Sequence, residues 1–388
     1  MVNKGENMKK FFVAIIFSIF LLTSCDNNTD LSSNKADTYI NLYATNGYHY
    51  IKFTDFSDGL LWKSDGCLFF FDYSTTNLTP LCSDPTCEHN SKDCSAYYAG
   101  RTFVYNNKII EIKNNDSWTQ NEGFVVNSTL TTSDLNGYNR KISAKINYAF
   151  CDTFAFEDKL YIGCEEGYYE KDDDLFSSPV KSRIYLMVLS LSDYEVEYIS
   201  DCLVDGFYSD IQICGIYNEE VYFNVGTYNE MKDIDKGNIC WNEMKYNINS
   251  SQVSNVKNKS EYVSEDLIVN FDGNSVEFVT PTKTVELVCD IFLPYMPLDI
   301  TLSNKKEVYF VVYGNPNSLF KFNCDTELLY EARCENLEYP KIISMTDNLY
   351  ILEGEKTPLA LSYSEIAFHQ INMKRYNEIC KLNKIHYT

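Results

Sequence analysis

Short runs of alternating apolar and polar residues, broken by Asn, Asp, Gly, Ser or Lys, fill most of the chain, and few windows show a helical period. Alternation with period two puts one row of side chains on each side of an extended strand, and the polar breaks are turn formers. The pattern therefore predicts an all-β protein made of hairpins. One hairpin type recurs as FSDGLLW (56–62), YNNKIIEI (105–112), FEDKLYIG (156–163), YNEEVYFNV (217–225), FDGNSVEFV (271–279), LSNKKEVYFVV (302–312) and MTDNLYIL (345–352). A second type follows several of these: LFFFDYSTTNLTPLC (68–82), YLMVLSLSDYEVEYIS (185–200), LFKFNCDTELLYEA (319–332) and AFHQINMKRYNEICKL (367–382). Two hairpins make four antiparallel strands, and such units repeating at roughly 40–50 residues are the signature of β-propeller blades. A lone four-stranded sheet cannot bury both faces, whereas a ring of them can. Six or seven blades are expected. The fifth unit is short, because PTKTVELVCDIF offers no clear second hairpin, and YINLYA (39–44) is a candidate ring-closing strand. A β-sandwich or a β-solenoid would not give this recurring order of hairpins or this unit length.

With strands A to D counted outward, A–B and C–D turns share one face of a propeller, and B–C loops and D-to-A crossings share the other. The A–B and C–D turns are short here. The long connections are 113–128, 167–182 and 226–238, all of the B–C class, and the crossing at 81–94. Long surface connections commonly carry function, so the pattern predicts one loop-rich face. Its candidate binding residues are Trp118, Glu165, Glu166, Glu170, Asp172, Asp173, Asp174, Asp233, Asp235 and Trp241. The two tryptophans suit stacking on a sugar or gripping a peptide, and equally suit burial.

The first residues change the picture of where this body resides. Lys9 and Lys10 precede an apolar run from Phe11 to Leu22, which is too short for a membrane span and right for a signal peptide. Leu22-Thr23-Ser24-Cys25 resembles the lipobox of bacterial lipoproteins. That resemblance implies a signal at 1–24, a lipidated Cys25 and a membrane-anchored, extracytoplasmic protein. Residues 25–38 are polar and read as a flexible tether, leaving 39–388 as a single propeller domain. A formal net charge of -22 repels phosphate backbones and excludes nucleic acid as a partner. Proteins, peptides, glycans and calcium stay compatible with it.

Fourteen cysteines in an exported chain invite a disulfide reading. Most sit in strand-like contexts such as YIGCEEG and ELVCDIF, where cysteine acts as a small buried hydrophobe, and mostly free thiols are expected. The exception is LCSDPTCEHNSKDC (81–94), where Cys82, Cys87, His89 and Cys94 form C-x4-C-x-H-x4-C. Three thiols and an imidazole fill a tetrahedral structural zinc site. Cys87 and His89 point the same way in an extended segment, and Pro85 favours a turn that returns Cys87 to Cys82. A disulfide within the trio, or inert thiols, would fit the same spacing. Calcium has weaker support: DIDKGNICWNE (233–243) has Gly237 and its final acid one position early for an EF-hand, and the acids at 170–174 would need backbone oxygens to complete a site.

A lipobox, a polar tether and a tyrosine-rich repeat with an LCxDPxCxHxxxxC crossing resemble surface lipoproteins of Gram-positive gut-type anaerobes, and the body is similar to TolB-like propellers. The resemblance implies fold and location, and no activity. Nucleotide-binding, serine-hydrolase and zinc-peptidase motifs are absent. His49, His369 and His386 are the only other histidines, too few for a multi-histidine catalytic centre. The reading is a non-catalytic module that binds a protein, peptide or glycan. The alternative is an extracellular glycan lyase or hydrolase using Glu165, Glu166 and Asp172 as acid and base. Changing Cys25 to Ser is expected to release the protein from the membrane fraction; unchanged fractionation would disprove the anchor.

Overall fold

The computed structural model describes residues 53–55, 58–89, 91–119, 123–169, 181–234, 239–256, 260–264, 267–271, 275–288, 298–303, 306–312, 317–334, 336–354 and 357–371. Contacts divide the chain into Met1–Asp37 and Thr38–Thr388, and the described residues all lie in the second unit. It is an all-β propeller built of antiparallel meanders. Consecutive strands pair as β1 to β4 within 53–80, β5 to β8 within 101–146, β9 to β12 within 149–199 and β13 to β16 within 204–255. They continue as β17 to β20 within 260–288, β21 to β24 within 298–333, and β25 to β27 within 342–362.

Alternate residues of each sheet face opposite neighbours, and the core consists of the layers between them. Leu61 and Leu68 of the first meander pack on Val104 and Ile109 of the second. Ile110 and Leu130 of the second meet Leu160 and Ile162 of the third. Ile184 and Leu186 of the third face Ile213 and Phe223 of the fourth. Tyr222 of the fourth lies on Val263 and Ile268 of the fifth, Phe278 of the fifth on Phe310 and Phe322 of the sixth, and Tyr309 and Leu319 of the sixth on Ile342 and Leu352 of the seventh. The circuit then closes: Leu60, Trp62 and Phe71 of the first meander pack on Ile343 and Ile351 of the seventh. The buried Tyr73 hydroxyl donates to Ser344 Oγ at 2.9 Å across the same seam. Seven apolar layers thus join seven consecutive meanders among the described residues.

First strands of neighbouring meanders touch at β1–β5, β9–β13, β13–β17 and β21–β25, which identifies them as the inner ring. A polar staple crosses three of them. Arg101 on β5 (Arg101–Tyr105) pairs with Asp152 on β9 (Ala149–Phe156), and the other carboxylate oxygen accepts the Ile213 amide of β13 (Val204–Tyr217) at 2.8 Å.

Three expectations change. Residues 113–128 are not a loop: β6 (Lys108–Thr119) and β7 (Gly123–Asp134) pair continuously from Lys108↔Asp134 to Thr119↔Gly123. FDGNSVEFV is the second turn of the fifth meander, not its first, because β17 (Ser260–Ser264) already pairs with β18 (Leu267–Phe271) ahead of it. The strand β20 (Thr284–Val288) then supplies the fourth member that the sequence pattern lacked. Finally, β28 (His369–Ile371), the described strand of the expected 367–382 hairpin, pairs with β24 (Leu328–Arg333) of the sixth meander, and 372–382 lie outside the described residues. The candidate strand at 39–44 lies outside the described residues.

The seam between first and last meanders decides whether the ring holds. Trp62→Ala, which empties a site 1% exposed, is expected to lower stability by about 3–5 kcal/mol, measured as a fall in the urea midpoint. An unchanged midpoint would mean that the closing layer contributes nothing.

Candidate functional site

The 81–94 crossing leaves the outer strand of the first meander and folds on itself. Asp84 Oδ1 accepts from the Thr86 amide and hydroxyl, both at 2.8 Å, and the Cys87 amide donates to the Asp84 carbonyl at 3.2 Å, closing a turn around Pro85. His89 takes a left-handed conformation, φ 54°, which returns its ring to the thiols. One ligand atom from each of Cys82, Cys87, His89 and Cys94 lies within 4.8 Å of all the others. His89 Nδ1 sits 3.7 Å from Cys94 Sγ. Burial alone would raise the Cys82 thiol, but hydrogen-bonding groups of Ser95 and Asp84 and the neighbouring Cys94 bring it down to about 6. Burial raises Cys94. The trio therefore readily carries one negative charge, and a cation is the natural means of adding more. The four donors can hold a metal ion. Cys67, fully buried, packs against Cys82 and Cys94 from the turn of the first meander. All described cysteines are free thiols.

The crossing is seated from both sides. Tyr97 lies against Gly66, whose φ of 83° and close contact (a Cβ there would stand 2.5 Å from the ring) require glycine. Arg140 donates to the carbonyls of Tyr97 and Ser95, both at 3.0 Å, and its guanidinium stacks 4.0 Å above the Tyr98 ring. Arg140 belongs to the C–D turn of the second meander. The loop pattern placed that turn class opposite the crossing; the strong twist across a sheet brings them together.

A different surface forms where the third and fourth meanders merge. β11 (Lys181–Ser190) pairs with the start of β13 from Lys181↔Phe207 to Ile184↔Val204, making one eight-stranded sheet from β9 to β16. Rows of side chains cross this ribbon. Glu166, Arg183 and Asp205 are register partners, as are Tyr168, Lys181, Phe207 and Tyr228. Arg183 bridges Asp205 at 3.2 Å and Glu166 at 3.7 Å and lies 4.5 Å over the Tyr168 ring. The Tyr168 hydroxyl donates to Asp205 at 2.6 Å and that of Tyr185 to Glu166 at 2.9 Å. Lys181 stands 5.0 Å from the Phe207 ring. Further along the sheet Trp241, half-buried, packs on Gly226.

Trp118, 42% exposed, lies near the tip of the β6–β7 hairpin. That hairpin leans on the third meander, since the Phe124 amide donates to Tyr169 Oη at 3.0 Å. Glu165 and Glu166, adjacent on β10 (Lys159–Tyr168), face opposite sides of the ribbon. Asp233 sits half-buried in a short helical turn, Met231–Ile234, which follows the strand carrying Tyr228. Glu170, Asp172, Asp173, Asp174 and Asp235 lie outside the described residues. Among the described residues, Glu166 lies on a strand platform with Trp241 farther along the same sheet, and Cys82, Cys87, His89 and Cys94 lie on the 81–94 crossing; 170–180 and 235–238, the greater part of two long connections, lie outside the described residues. Tyr168, Lys181, Arg183, Asp205 and Phe207 were not singled out by sequence. Tyr168, Lys181 and Arg183 flank the acidic run of GYYEKDDDLFSSPVKSR, whose composition reads as a loop, and Asp205 and Phe207 lie outside that stretch.

No family model matches the chain, and no curated protein does. Among solved structures, an uncharacterized protein from Listeria monocytogenes EGD-e is 8% identical over 69% of this chain and 84% of its own, with a TM-score of 0.40. The β-propeller domain of the Trilobed protease from Pyrococcus furiosus is 12% identical over 85% and 97%, TM-score 0.39. Pyrococcus horikoshii acylaminoacyl peptidase is 10% identical over 86% of this chain, which spans 53% of that enzyme's length, TM-score 0.44. Likenesses at this level carry no inference about activity, and the fold rests on strand pairing and packing.

Titrating the reduced protein with Co2+ is expected to give thiolate-to-metal absorption saturating at about one ion per chain. Replacing Cys87 and His89 with Ala should abolish it. Absorption that survives both changes would place the metal elsewhere.

Proposed function

We propose that the protein is a lipid-anchored, extracytoplasmic binding module that takes a protein, peptide or glycan on the platform formed by its third and fourth meanders, without chemistry of its own. The observation that carries this reading is the Tyr168–Arg183–Asp205–Glu166 network. Its members are half-exposed or exposed, yet each is fixed by a neighbour on rigid strands. Groups ordered before binding lose little entropy on contact, so such a surface favours recognition. Tyr208 and Trp118 are exposed aromatic side chains elsewhere on the described surface. The resemblance of residues 22–25 to a lipobox supports the anchor.

In the same reading Cys82, Cys87, His89 and Cys94 hold zinc. Three sulfurs and one nitrogen suit Zn2+, and four protein ligands leave no open position for a reactive water, so the role is structural. Zinc there would pin the crossing between the first two meanders. Pairing Glu165 with Glu166 as acid and base on one glycosidic bond is disfavoured, because the two side chains leave opposite faces of β10.

Peptide and glycan arrays probed with the mature protein test the reading. Arg183→Ala, which frees Asp205 and Glu166, is expected to weaken platform binding about tenfold while leaving the urea midpoint nearly unchanged. Turnover of a bound glycan by the wild type would replace this reading with the enzymatic one.

A further inference from the structure

The Cys/His crossing carries all four donors, but its two ends are held differently. At the first end the Leu81 amide donates to the Leu68 carbonyl at 3.1 Å, so Cys82 follows a residue anchored on β3 (Cys67–Asp72) of its own meander. Beyond Cys94 the chain returns along the same strand. The Leu68 amide donates to the Ala96 carbonyl at 2.9 Å, and the Tyr98 amide to the Gly66 carbonyl at 2.8 Å. The carbonyls of Ser95 and Tyr97, one residue to either side of Ala96, are met instead by the two terminal nitrogens of Arg140.

Arg140 is delivered by a braced turn of the second meander, between β7 and β8 (Lys141–Ile146). The Asp134 amide donates to the Tyr138 carbonyl and the Gly137 amide to the Asp134 carbonyl, both at 2.9 Å, and the Asn139 side chain donates to Asp134 Oδ2. The turn touches the crossing directly: Gly137 has a φ of 80°, and a Cβ there would stand 2.2 Å from the Ser95 carbonyl oxygen. The Tyr98 ring under the Arg140 guanidinium is tied to the same meander, its hydroxyl 2.6 Å from Ser133 Oγ. Residues 95–98 are therefore gripped by both meanders.

The grip bears on the last ligand. Ser95 follows Cys94, and the Cys94 carbonyl accepts the Tyr97 amide at 3.0 Å, so holding the Ser95 and Tyr97 carbonyls holds the turn that presents Cys94. A metal must order the whole 82–94 segment, and whatever is ordered beforehand lowers that cost. We infer that Arg140 is a positioning residue for the metal centre: its paired hydrogen bonds preset the Cys94 end of the crossing and raise metal affinity without touching the ion. This rests on the reading of Cys82, Cys87, His89 and Cys94 as a metal site. Coupling is reciprocal, so metal in turn tightens the hold of the crossing on the second meander. A lysine cannot replace the arginine, because an ammonium has no planar fork to serve two carbonyls while lying over an aromatic face.

Titration of the reduced full chain with Co2+ against a competing chelator tests the role. Arg140→Met, which keeps the reach and apolar contact of the side chain, is expected to weaken Co2+ binding about fivefold, with Arg140→Lys recovering only a small part of the loss. The charge-transfer spectrum at saturation should stay that of the wild type, since all four ligands remain. Lys141→Met, which removes the exposed charge next in sequence, should leave the affinity unchanged. Loading with Co2+ should also raise the urea midpoint less in Arg140→Met than in the wild type. A role confined to general stability would instead lower the midpoint of the metal-free protein and leave both the affinity and that rise as they were, which would overturn the inference. Full recovery by Arg140→Lys, or an equal loss in Lys141→Met, would overturn it in favour of charge alone. A wild type that shows no thiolate-to-cobalt absorption would remove the metal reading itself and the positioning role with it, whereas equal binding by wild type and Arg140→Met would remove the positioning role and leave the metal site standing.

Discussion

Everything in this molecule depends on sheets that must bury two faces at once. A four-stranded meander of about thirty to fifty residues has no interior of its own, and each apolar side chain gains about 1.5–3 kcal/mol only when a neighbour covers it. The covering surfaces are the next meander on one side and the previous one on the other. The chain can satisfy the first and last only by bringing them together, which it does through Trp62, Phe71 and Leu60 against Ile343 and Ile351. Without that layer both would expose Leu, Ile and aromatic surface. Closure is therefore a requirement of burial, and the inner ring with its Arg101–Asp152–Ile213 staple is its consequence.

Closure also frees the ends of strands from core duty, and the third and fourth meanders use that freedom differently from the rest. Their strands run beyond the apolar layer, and β13 pairs first with β11 and then with β14. A gap that would ordinarily separate two blades becomes continuous sheet. One side of this ribbon displays the Arg183 network. The other carries Ile184 into the layer shared with the fourth meander. Because residues one apart on a strand point to opposite sides, neighbours such as Glu165 and Glu166 serve different surfaces. The Cys/His crossing is a separate device with a separate physical basis: a turn around Pro85 and a left-handed His89 gather four donors, and Arg140 holds the assembled loop against the second meander.

How much of this was legible depends on the range of the interaction. The hairpins at 156–163 and 217–225 were readable because their turns and alternation are local. The Cys82–Cys94 grouping was readable because its ligands are close in sequence and turn-forming residues separate them. The hairpin β6–β7 was missed because its polar outer positions, Asn114, Asn115, Asp116 and Ser117, have the composition of a loop; paired polar side chains such as Asn115 and Thr129, 3.2 Å apart, stabilise it as strand. The phase of the fifth meander was misread because FDG is a stronger turn signal than the pair at 265–266. The placement of the crossing beside the 135–140 turn was illegible because sheet twist, not sequence spacing, decides which connections meet.

The order of apolar and polar residues alone determined that this chain makes repeated antiparallel hairpins, that one sheet needs another, and that three thiols and an imidazole lie within reach of one another. Those properties follow from backbone geometry and from spacings of a few residues. Only the tertiary structure decided that Trp62 meets Ile351, that β11 pairs with β13, and that Arg183 meets both Glu166 and Asp205. Each of those contacts joins segments whose proximity follows from burying all the sheet faces together, and no local pattern records where a closed ring will bring its strands.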